Sequence, residues 1–372
     1  MVRAIRLAAA LGLLLMACNS GPSATTSSPT ATADIRRARM DISYSDLLEN
    51  DVHAVTSKKA LEAAINALKA EARRTGGSDE FQSLELHDVS DVVLADFKKF
   101  ADATAEFATR NKQLTPSRIA DVAIAGMLSA SPDCHTYYVN AQGAGFSSRP
   151  VRSTGTDARI PSGGTSLGGP DQAGLTGKVL PGGIAYITWR DFISESNYRI
   201  GDALRAMLDK AVANGAKAWL FDLRGNFGGI GPTDAMASWF LNGEPTLTTM
   251  LKTGSSGTTT ALKELRLPDA YQLPMVIILN DRGGSGPEVL TAALKENKRA
   301  TVVGQKSLGC LGALYLTPFS DGGQIAVAER EFVGAVTGSK YNNVGIPPDV
   351  PADDATAVEK AVEILKQKIA GG

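Results

Sequence analysis

Ser285 is the residue of this sequence whose setting most favours nucleophilic chemistry. It follows an apolar segment, residues 275–279, and a turn rich in glycine, and a helix is predicted from residue 287. A serine between a strand and a helix exposes its hydroxyl near the positive end of the helix dipole, and flanking glycines let a substrate backbone approach closely. The same residue type also serves as an ordinary helix N-cap, so this segment alone leaves both interpretations open.

His135 is the histidine best placed to act as a base. It lies in a compact turn beside Asp133 and Cys134, after a predicted helix that ends near residue 128. The other two histidines, His53 and His87, lie in polar sequence that flanks helices and are predicted to be solvated surface residues. Histidine suits a general base because its unperturbed pKa is about 6.5, although a histidine that only packs structurally would fit the same pattern.

A glycine-rich turn is the third segment with chemical potential. Residues 222–229, of sequence DLRGNFGG, follow an apolar strand, and a helix is predicted from residue 234. The backbone N–H groups of such a turn can point at a developing oxyanion. A tight connection between a strand and a helix would also favour glycine, so the turn has a purely structural interpretation as well.

The overall composition excludes several classes of function. The 372 residues carry a formal net charge of −1, and 43% of them are hydrophobic, which is ordinary for a globular chain. Because no basic field or stripe of lysine and arginine is present, no nucleic-acid partner is predicted. Three cysteines and three histidines give few ligands for a structural zinc site, so no metal and no cofactor are predicted.

The N-terminus has the pattern of a bacterial export signal. Arg3 and Arg6 precede a short apolar segment, residues 7–16, that is too short to span a membrane. The following Leu-Met-Ala-Cys reads as a lipobox, so residues 1–18 are predicted to be a lipoprotein signal peptide with Cys18 as the lipidated residue. A signal peptide cut nearby, with a chance cysteine, is the alternative. The residue after Cys18 is not the aspartate associated with inner-membrane retention, which favours the outer membrane facing the periplasm.

The rest of the chain divides into four segments by composition and periodicity. Residues 19–39 are rich in Ser, Thr, Pro and Ala and are predicted to be a flexible tether. Residues 40–140 show helical periodicity and are predicted to form an N-terminal helical region. Residues 141–182 are rich in Gly and Ser and are predicted to be a long loop. In residues 183–372 strands and helices alternate, which predicts an α/β fold with a sheet covered by helices.

These segments together resemble peptidase family S41, the tail-specific or C-terminal processing serine proteases and their tricorn-core relatives. The resemblance rests on residues 133–137, 222–229, 285–288, 299–304 and 345–350, which follow the order of the family's motifs. It implies an α/β fold with a ClpP/crotonase-like core and an N-terminal helical domain. Many processing proteases insert a PDZ domain where residues 141–182 lie, but this segment has about half the length needed, so no PDZ domain is predicted.

The resemblance also implies roles for individual residues. Ser285 is the expected nucleophile. The processing proteases use a serine–lysine dyad, but Cys310 occupies the lysine position here, so a lysine base is not expected. Tricorn-like relatives use a histidine instead, at the position of His135. Their glutamate near the C-terminus corresponds to Asn342, which could orient the imidazole by a hydrogen bond.

Three glycines are the expected oxyanion donors on the same alignment. The backbone N–H of Gly286 and that of Gly228 or Gly229 would stabilise the charge on a tetrahedral intermediate. These N–H groups belong to the two glycine-containing turns described above.

Cys134 and Cys310 are both aligned beside the serine. With Cys18 lipidated, they remain as a pair in an oxidising compartment and could form a disulfide that closes a loop of 176 residues. Two buried free thiols are the alternative.

The predicted function is that of a serine-type endopeptidase of the cell envelope, lipid-anchored to a membrane and acting on a peptide or protein substrate. Ser285 would be the nucleophile and His135 the base. One alternative is a catalytically inactive S41-like lipoprotein that binds peptides or other ligands, because the family lysine is missing and Asn342 replaces a glutamate. Another is a hydrolase of non-peptide acyl substrates that uses the same residues.

Overall fold

The computed structural model of the protein describes residues 29–147, 160–254 and 256–371. The predicted signal peptide, residues 1–18 with Cys18, lies outside the described residues, as do the first residues of the predicted tether. None of the described helices combines the length and the apolar character needed to cross a lipid bilayer.

Four helices form the N-terminal region, as the helical periodicity predicts. They are α1 (Pro29–Asn50), α2 (Ser57–Arg74), α3 (Leu94–Arg110) and α4 (Pro116–Leu128). Thr56 and Thr115 cap α2 and α4, because each side chain accepts a backbone N–H from the first turn of its helix. The apolar faces of the helices pack around Tyr44, Phe100 and Phe107, which are fully buried.

The prediction of a flexible tether over residues 19–39 is wrong for residues 29–39, which belong to α1. Arg39 shows the physical reason. Its buried guanidinium pairs with Asp321 at 3.0 Å and donates a hydrogen bond to the Tyr138 hydroxyl at 3.0 Å. Tertiary contacts of this kind stabilise a helix beyond its local propensity, and composition does not reveal them.

A seven-stranded sheet forms the core of the C-terminal part. In order across the sheet its strands are β15 (Val350–Pro351), β12 (Thr301–Gly304), β11 (Met275–Leu279), β8 (Ala218–Asp222), β5 (Ile184–Thr188), β4 (Thr176–Leu180) and β3 (Thr165–Gly168). The first five are parallel, and β8 and β11 are buried along their whole length. Such strands must be covered on both faces, and the predicted α/β fold with N-terminal helices is confirmed.

Helices cover both faces of this sheet. They are α5 (Ile200–Ala213), α6 (Thr233–Ser238), α7 (Gly286–Glu296) and α8 (Ala357–Gly371), and short 3-10 helices occur at Lys263–Leu265 and Asp269–Tyr271. The helix α8 packs on β8, β11 and β12 and closes the smaller apolar core on one face. The larger core lies on the other face and includes Trp219 and Phe221.

A second sheet, of six antiparallel strands, joins the N-terminal helices to the core. Its order is β10 (Ser256–Thr260), β9 (Pro245–Leu251), β14 (Gln324–Gly334), β1 (Tyr137–Val139) and β2 (Gly145–Ser147), and β13 (Gly312–Pro318) also pairs with β14. A separate hairpin consists of β6 (Ser194–Glu195) and β7 (Tyr198–Arg199). Because β1 pairs with β14, the end of the N-terminal region is built into the same sheet as residues from the C-terminal part.

The predicted loop over residues 141–182 is wrong where it contains strands. The strand β2 pairs with β1, β4 pairs antiparallel with β5, and β3 pairs antiparallel with β4, so β3 and β4 extend the seven-stranded sheet. The apolar side chains of Leu167 and Val179 are buried against the core, which fixes this register despite the glycine content. The seven-stranded sheet therefore begins at Thr165.

A buried ion pair holds the glycine-rich turn after β8. The Arg224 guanidinium donates to both carboxylate oxygens of Asp222, at 2.9 and 2.7 Å, and both side chains are fully buried. The Tyr186 hydroxyl donates to the same carboxylate at 2.9 Å, and Arg224 reaches the backbone carbonyl of Asp354. Breaking a pair this deep is strongly destabilising, because the Asp354 carboxylate, 3.7 Å from the Arg224 guanidinium, compensates the buried charge only in part.

We expect the substitution Asp222→Asn to lower the free energy of unfolding by about 3–5 kcal/mol, because the buried Arg224 guanidinium would lose its two direct bonds to a carboxylate and keep only the more distant contact with Asp354. Chemical denaturation would measure the loss. The control is Asp202→Asn in the exposed pair Arg199–Asp202, where removal should cost about 0–1 kcal/mol. Equal denaturation midpoints for the two variants would contradict the prediction.

Candidate active site

Ser285 lies at the junction between β11 and α7, as its sequence setting predicts. It is the N-cap residue of α7. Its backbone has a φ of 66° and a ψ of −119°, a conformation that residues other than glycine rarely adopt. Its backbone N–H donates to the Glu288 carboxylate at 2.9 Å, which holds this conformation. In this conformation the hydroxyl lies within hydrogen-bond distance of His135.

The Glu288 carboxylate connects the serine turn to the following loop. It is completely buried and accepts four hydrogen bonds, from the N–H groups of Ser285, Gly309 and Cys310 and from the Ser307 hydroxyl. Burial raises the pKa of Glu288, while the four donors act in the opposite direction. The sequence motif contains this glutamate, but its role becomes clear only when its partners, about 20 residues further along, are known.

His135 reaches the serine from the other side of the site. It follows α4 in the turn before β1, and its Nε2 lies 3.3 Å from the Ser285 Oγ, although the two residues are 150 positions apart. Its Nδ1 lies 3.2 Å from the Asp133 carboxylate, which can only accept a hydrogen bond. Nδ1 therefore carries the proton, and Nε2 is left to accept one from the serine hydroxyl.

Asp133 orients His135 and is fully buried. Its Oδ1 accepts from the backbone N–H of His135 at 2.8 Å as well as from Nδ1, and its Oδ2 accepts from His53 Nε2 at 2.9 Å and Asn342 Nδ2 at 2.6 Å. Burial alone would raise the pKa of Asp133, but hydrogen bonds from His135, His53 and Asn342 hold it well below its ordinary value. The carboxylate is therefore ionised and can stabilise an imidazolium.

Asn342 has a different role from the predicted one. It was expected to orient His135, but its amide donates to Asp133 instead. The orienting carboxylate comes from the histidine's own turn, two residues before the histidine, and the Asp-x-His spacing was the signal that could have revealed it. An asparagine suits the observed position because it donates to the carboxylate without adding a second negative charge.

His53 is the second residue that the sequence analysis placed wrongly. Its predicted solvated surface position is incorrect, because only 17% of its side chain is exposed and its ring contacts Asp133. The contact joins residues 80 positions apart. No local pattern around His53 indicates such a partner.

The two glycine turns meet at Ser285, but they do not contribute the same groups. The Gly228 N–H already donates to the Asn226 side chain at 2.8 Å. The prediction of Gly228 as an oxyanion donor is therefore wrong. A Cβ at Gly228, where φ is 85°, would come within 2.5 Å of the Gly286 nitrogen, so glycine is needed there for close approach. The N–H groups of Gly286, at the start of α7, and Gly229 remain as candidate donors.

Cys134 and Cys310 form a disulfide with a Cα–Cα distance of 5.9 Å. Cys134 Sγ lies 3.4 Å from His135 Nδ1, and Cys310 Sγ lies 3.7 Å from both ring nitrogens. The bond therefore ties the histidine turn to the loop that Glu288 holds beside the serine. Among the described residues, Cys134, His135 and Cys310 lie close enough together to share a metal ion. Cysteines bind metals as thiolates, however, and the disulfide leaves neither sulfur as a thiolate.

A cavity of about 500 Å³ opens beside Ser285. Most of its lining is apolar and includes Tyr137, Phe227, Ile230, Leu308, Leu314 and Leu316. No lysine, arginine or carboxylate is among the described residues that line it. A cavity of this character accepts an apolar side chain next to the serine hydroxyl.

Comparison with known proteins is consistent with this arrangement. Residues 183–352 match the model of peptidase family S41. This segment, which includes Ser285, resembles the peptidase domain of that family. It is 29% identical over 168 residues to a carboxyl-terminal-processing protease from Synechocystis sp., an alignment that covers 45% of this chain and 37% of the relative. It is 28% identical over 148 residues to the carboxy-terminal processing protease CtpA of Bacillus subtilis, covering 39% and 31%. The chain thus spans about a third of the length of these curated relatives.

Two solved structures show a similar fold. A lipoprotein from Streptococcus agalactiae gives a TM-score of 0.50 at 15% identity, and a provisionally assigned peptidase from Parabacteroides merdae gives 0.52 at 16%. In both cases the alignment covers 82% of this chain and 96% of the other chain. At these identities the likeness supports the S41-type fold alone.

We expect reduction under denaturing conditions to raise the number of reactive thiols by two, because it opens the disulfide. Thiol titration before and after reduction would measure the change. In a Cys310→Ser variant reduction should release no thiol, and the free energy of unfolding should fall by about 2–5 kcal/mol, because the 176-residue loop is no longer closed. An unchanged thiol count in the parent chain would contradict the prediction.

Proposed function

We propose that this protein is a serine-type endopeptidase of the cell envelope, with Ser285 as nucleophile and His135 as general base. The observation that carries the proposal is the 3.3 Å separation between His135 Nε2 and Ser285 Oγ beside the apolar cavity. A nucleophile and a base within hydrogen-bond reach, with a third group orienting the base, are the structural signature of covalent acyl transfer. The match of residues 183–352 to peptidase family S41 supports a peptide bond as the acyl substrate.

The reaction follows from the positions of the groups. His135 Nε2 takes the proton of the Ser285 hydroxyl while Oγ attacks the carbonyl carbon of the substrate. The N–H groups of Gly286 and Gly229 stabilise the oxyanion of the tetrahedral intermediate. His135 then gives its proton to the leaving amine, and water, activated by the same histidine, hydrolyses the acyl-enzyme. Asp133 stabilises the imidazolium present in both steps.

A histidine base is consistent with the loss of the family lysine. Cys310 occupies that position and its sulfur is engaged in the disulfide, so it cannot act as a base. Lys306, the lysine closest in sequence to Cys310, is exposed, whereas a lysine base must be desolvated. A mechanism with His135 as the base therefore needs only groups that this chain has.

A serine-directed fluorophosphonate probe tests the proposal. We expect the parent chain to be labelled and Ser285→Ala to be unlabelled, while His135→Ala and Asp133→Asn should slow labelling by about 10²–10⁴-fold, because the base is lost or wrongly oriented. Labelling and cleavage of a fluorescent casein would be measured together.

The matched control for this series is Lys306→Ala, which should leave labelling unchanged. An unlabelled parent chain would favour the inactive, ligand-binding alternative. Labelling at Ser285 without cleavage of any peptide would favour a hydrolase of other acyl substrates.

The location in the envelope is supported by the N-terminal pattern alone. We propose that Cys18 carries lipid and that a tether places the peptidase outside the membrane, facing the periplasm in a cell with an outer membrane. A radiolabelled fatty acid fed to the cells should label the parent chain, and Cys18→Ala should remove the label, because acylation needs this thiol. Equal labelling of the two chains would contradict lipidation at Cys18.

A further inference from the structure

The Asp133 carboxylate lies between two imidazole rings. Its Oδ1 accepts from His135 Nδ1 at 3.2 Å, and its Oδ2 accepts from His53 Nε2 at 2.9 Å. His53 comes from the segment between α1 and α2 and reaches the site from outside the S41 domain. The acid–base mechanism above uses one of these two rings and leaves His53 without a role.

We propose that His53 is a positioning residue that sets the basicity of His135 through the carboxylate they share. This inference rests on the proposed function. When His53 is protonated, its charge neutralises part of the charge of Asp133, and His135 holds its own proton less tightly. When His53 is neutral, Asp133 acts on His135 alone, and His135 becomes more basic.

The surroundings of His53 favour its protonated form. Its backbone N–H donates to Asp51 Oδ1 at 2.9 Å on its own segment, and the Glu331 carboxylate of β14 also faces it. Burial alone would lower the pKa of His53, but the hydrogen bond to Asp133 and the charges of Asp51, Asp133 and Glu331 raise it above its usual value. A cation at position 53 is therefore present over part of the neutral pH range.

Two further groups complete the environment of His53. The Asn343 amide lies 3.3 Å from its Nε2 and carries no charge. Lys340 pairs with Glu331 at 3.8 Å through an exposed ammonium, so it reduces the influence of that carboxylate only in part. The direct contact with Asp133 is thus the strongest electrostatic link between His53 and the catalytic base.

The substitution His53→Gln isolates the charge from the hydrogen bond. The glutamine amide can still donate to Asp133 Oδ2, but it carries no charge at any pH. The repulsion between two imidazolium rings disappears, so His135 should keep its proton to a higher pH. Because a single carboxylate separates the two rings, we expect the titration midpoint of the His135 ring to rise by about 0.5–1 pH unit in this variant.

Histidine NMR on the full chain measures this midpoint without any substrate. The chain has only three histidines, so each imidazole can be assigned by removing the others one at a time. The matched control is His87→Gln. The His87 ring also contacts a buried carboxylate, that of Asp96 in α3, at 2.9 Å, but it has no contact with the serine site. That control should leave the midpoint of His135 unchanged.

The outcomes separate the inference from the proposed function. A higher His135 midpoint in His53→Gln, with a parallel shift in the pH profile of fluorophosphonate labelling, supports the inference. An unchanged or lower midpoint overturns it, whatever the stability of the variant. If the probe labels no chain, the proposed function fails, and the NMR midpoints still decide the role of His53.

If the His53→Gln variant does not fold, a measurement on the parent chain still tests the inference. If the two rings are coupled, the His135 resonance must show a second inflection at the pH where His53 titrates. A single inflection in His135, with His53 titrating elsewhere, overturns the inference without any substitution.

Discussion

The burial of one carboxylate, that of Asp133, is the constraint on which the site depends. An ionised carboxylate without partners costs many kcal/mol in a protein interior, so the group can be buried only where its oxygens are fully hydrogen-bonded. Its donors come from three distant parts of the chain, the turn of His135, the segment of His53 and the loop of Asn342. The carboxylate is therefore satisfied only when the N-terminal helices and the C-terminal loop have both reached their native positions. The same contacts that make the burial possible also fix the orientation of the His135 imidazole.

A second buried carboxylate, that of Glu288, does for the serine what Asp133 does for the histidine. It binds the backbone of Ser285 on one side and that of Gly309 and Cys310 on the other. The disulfide then links Cys310 to the residue next to His135, so the two halves of the site are joined covalently as well. Ser285 and His135 are thus each held by a carboxylate that is itself fixed by burial. Preorganisation of this kind lets a site stabilise a transition state without rearrangement.

The sequence predicts the parts of this site that local motifs encode and misses those that only packing brings together. Ser285 and the glycine turns are recognisable because a strand, a tight turn and a helix leave a local pattern, and the same holds for the α/β alternation of the core. The role of Asp133 was within reach, since it precedes His135 by two residues. His53 was not, because its partner is 80 positions away. The strands β3 and β4 were hidden by glycine, and the early start of α1 was hidden because Arg39 is stabilised by tertiary contacts rather than by helix propensity.

In the proposed mechanism, the site is divided between two parts of the chain, and this division would allow a histidine to replace the family's lysine. The segment that matches the S41 family, residues 183–352, supplies Ser285, the oxyanion donors, Asn342 and Cys310. The base and its carboxylate lie before it, in the turn that leads from α4 into β1. Because β1 pairs with β14, the geometry of the imported histidine is fixed by sheet register rather than by a flexible loop. With His135 as the proposed base, proton transfer would not need the lysine position, and the disulfide of Cys310 would instead hold the histidine turn in place.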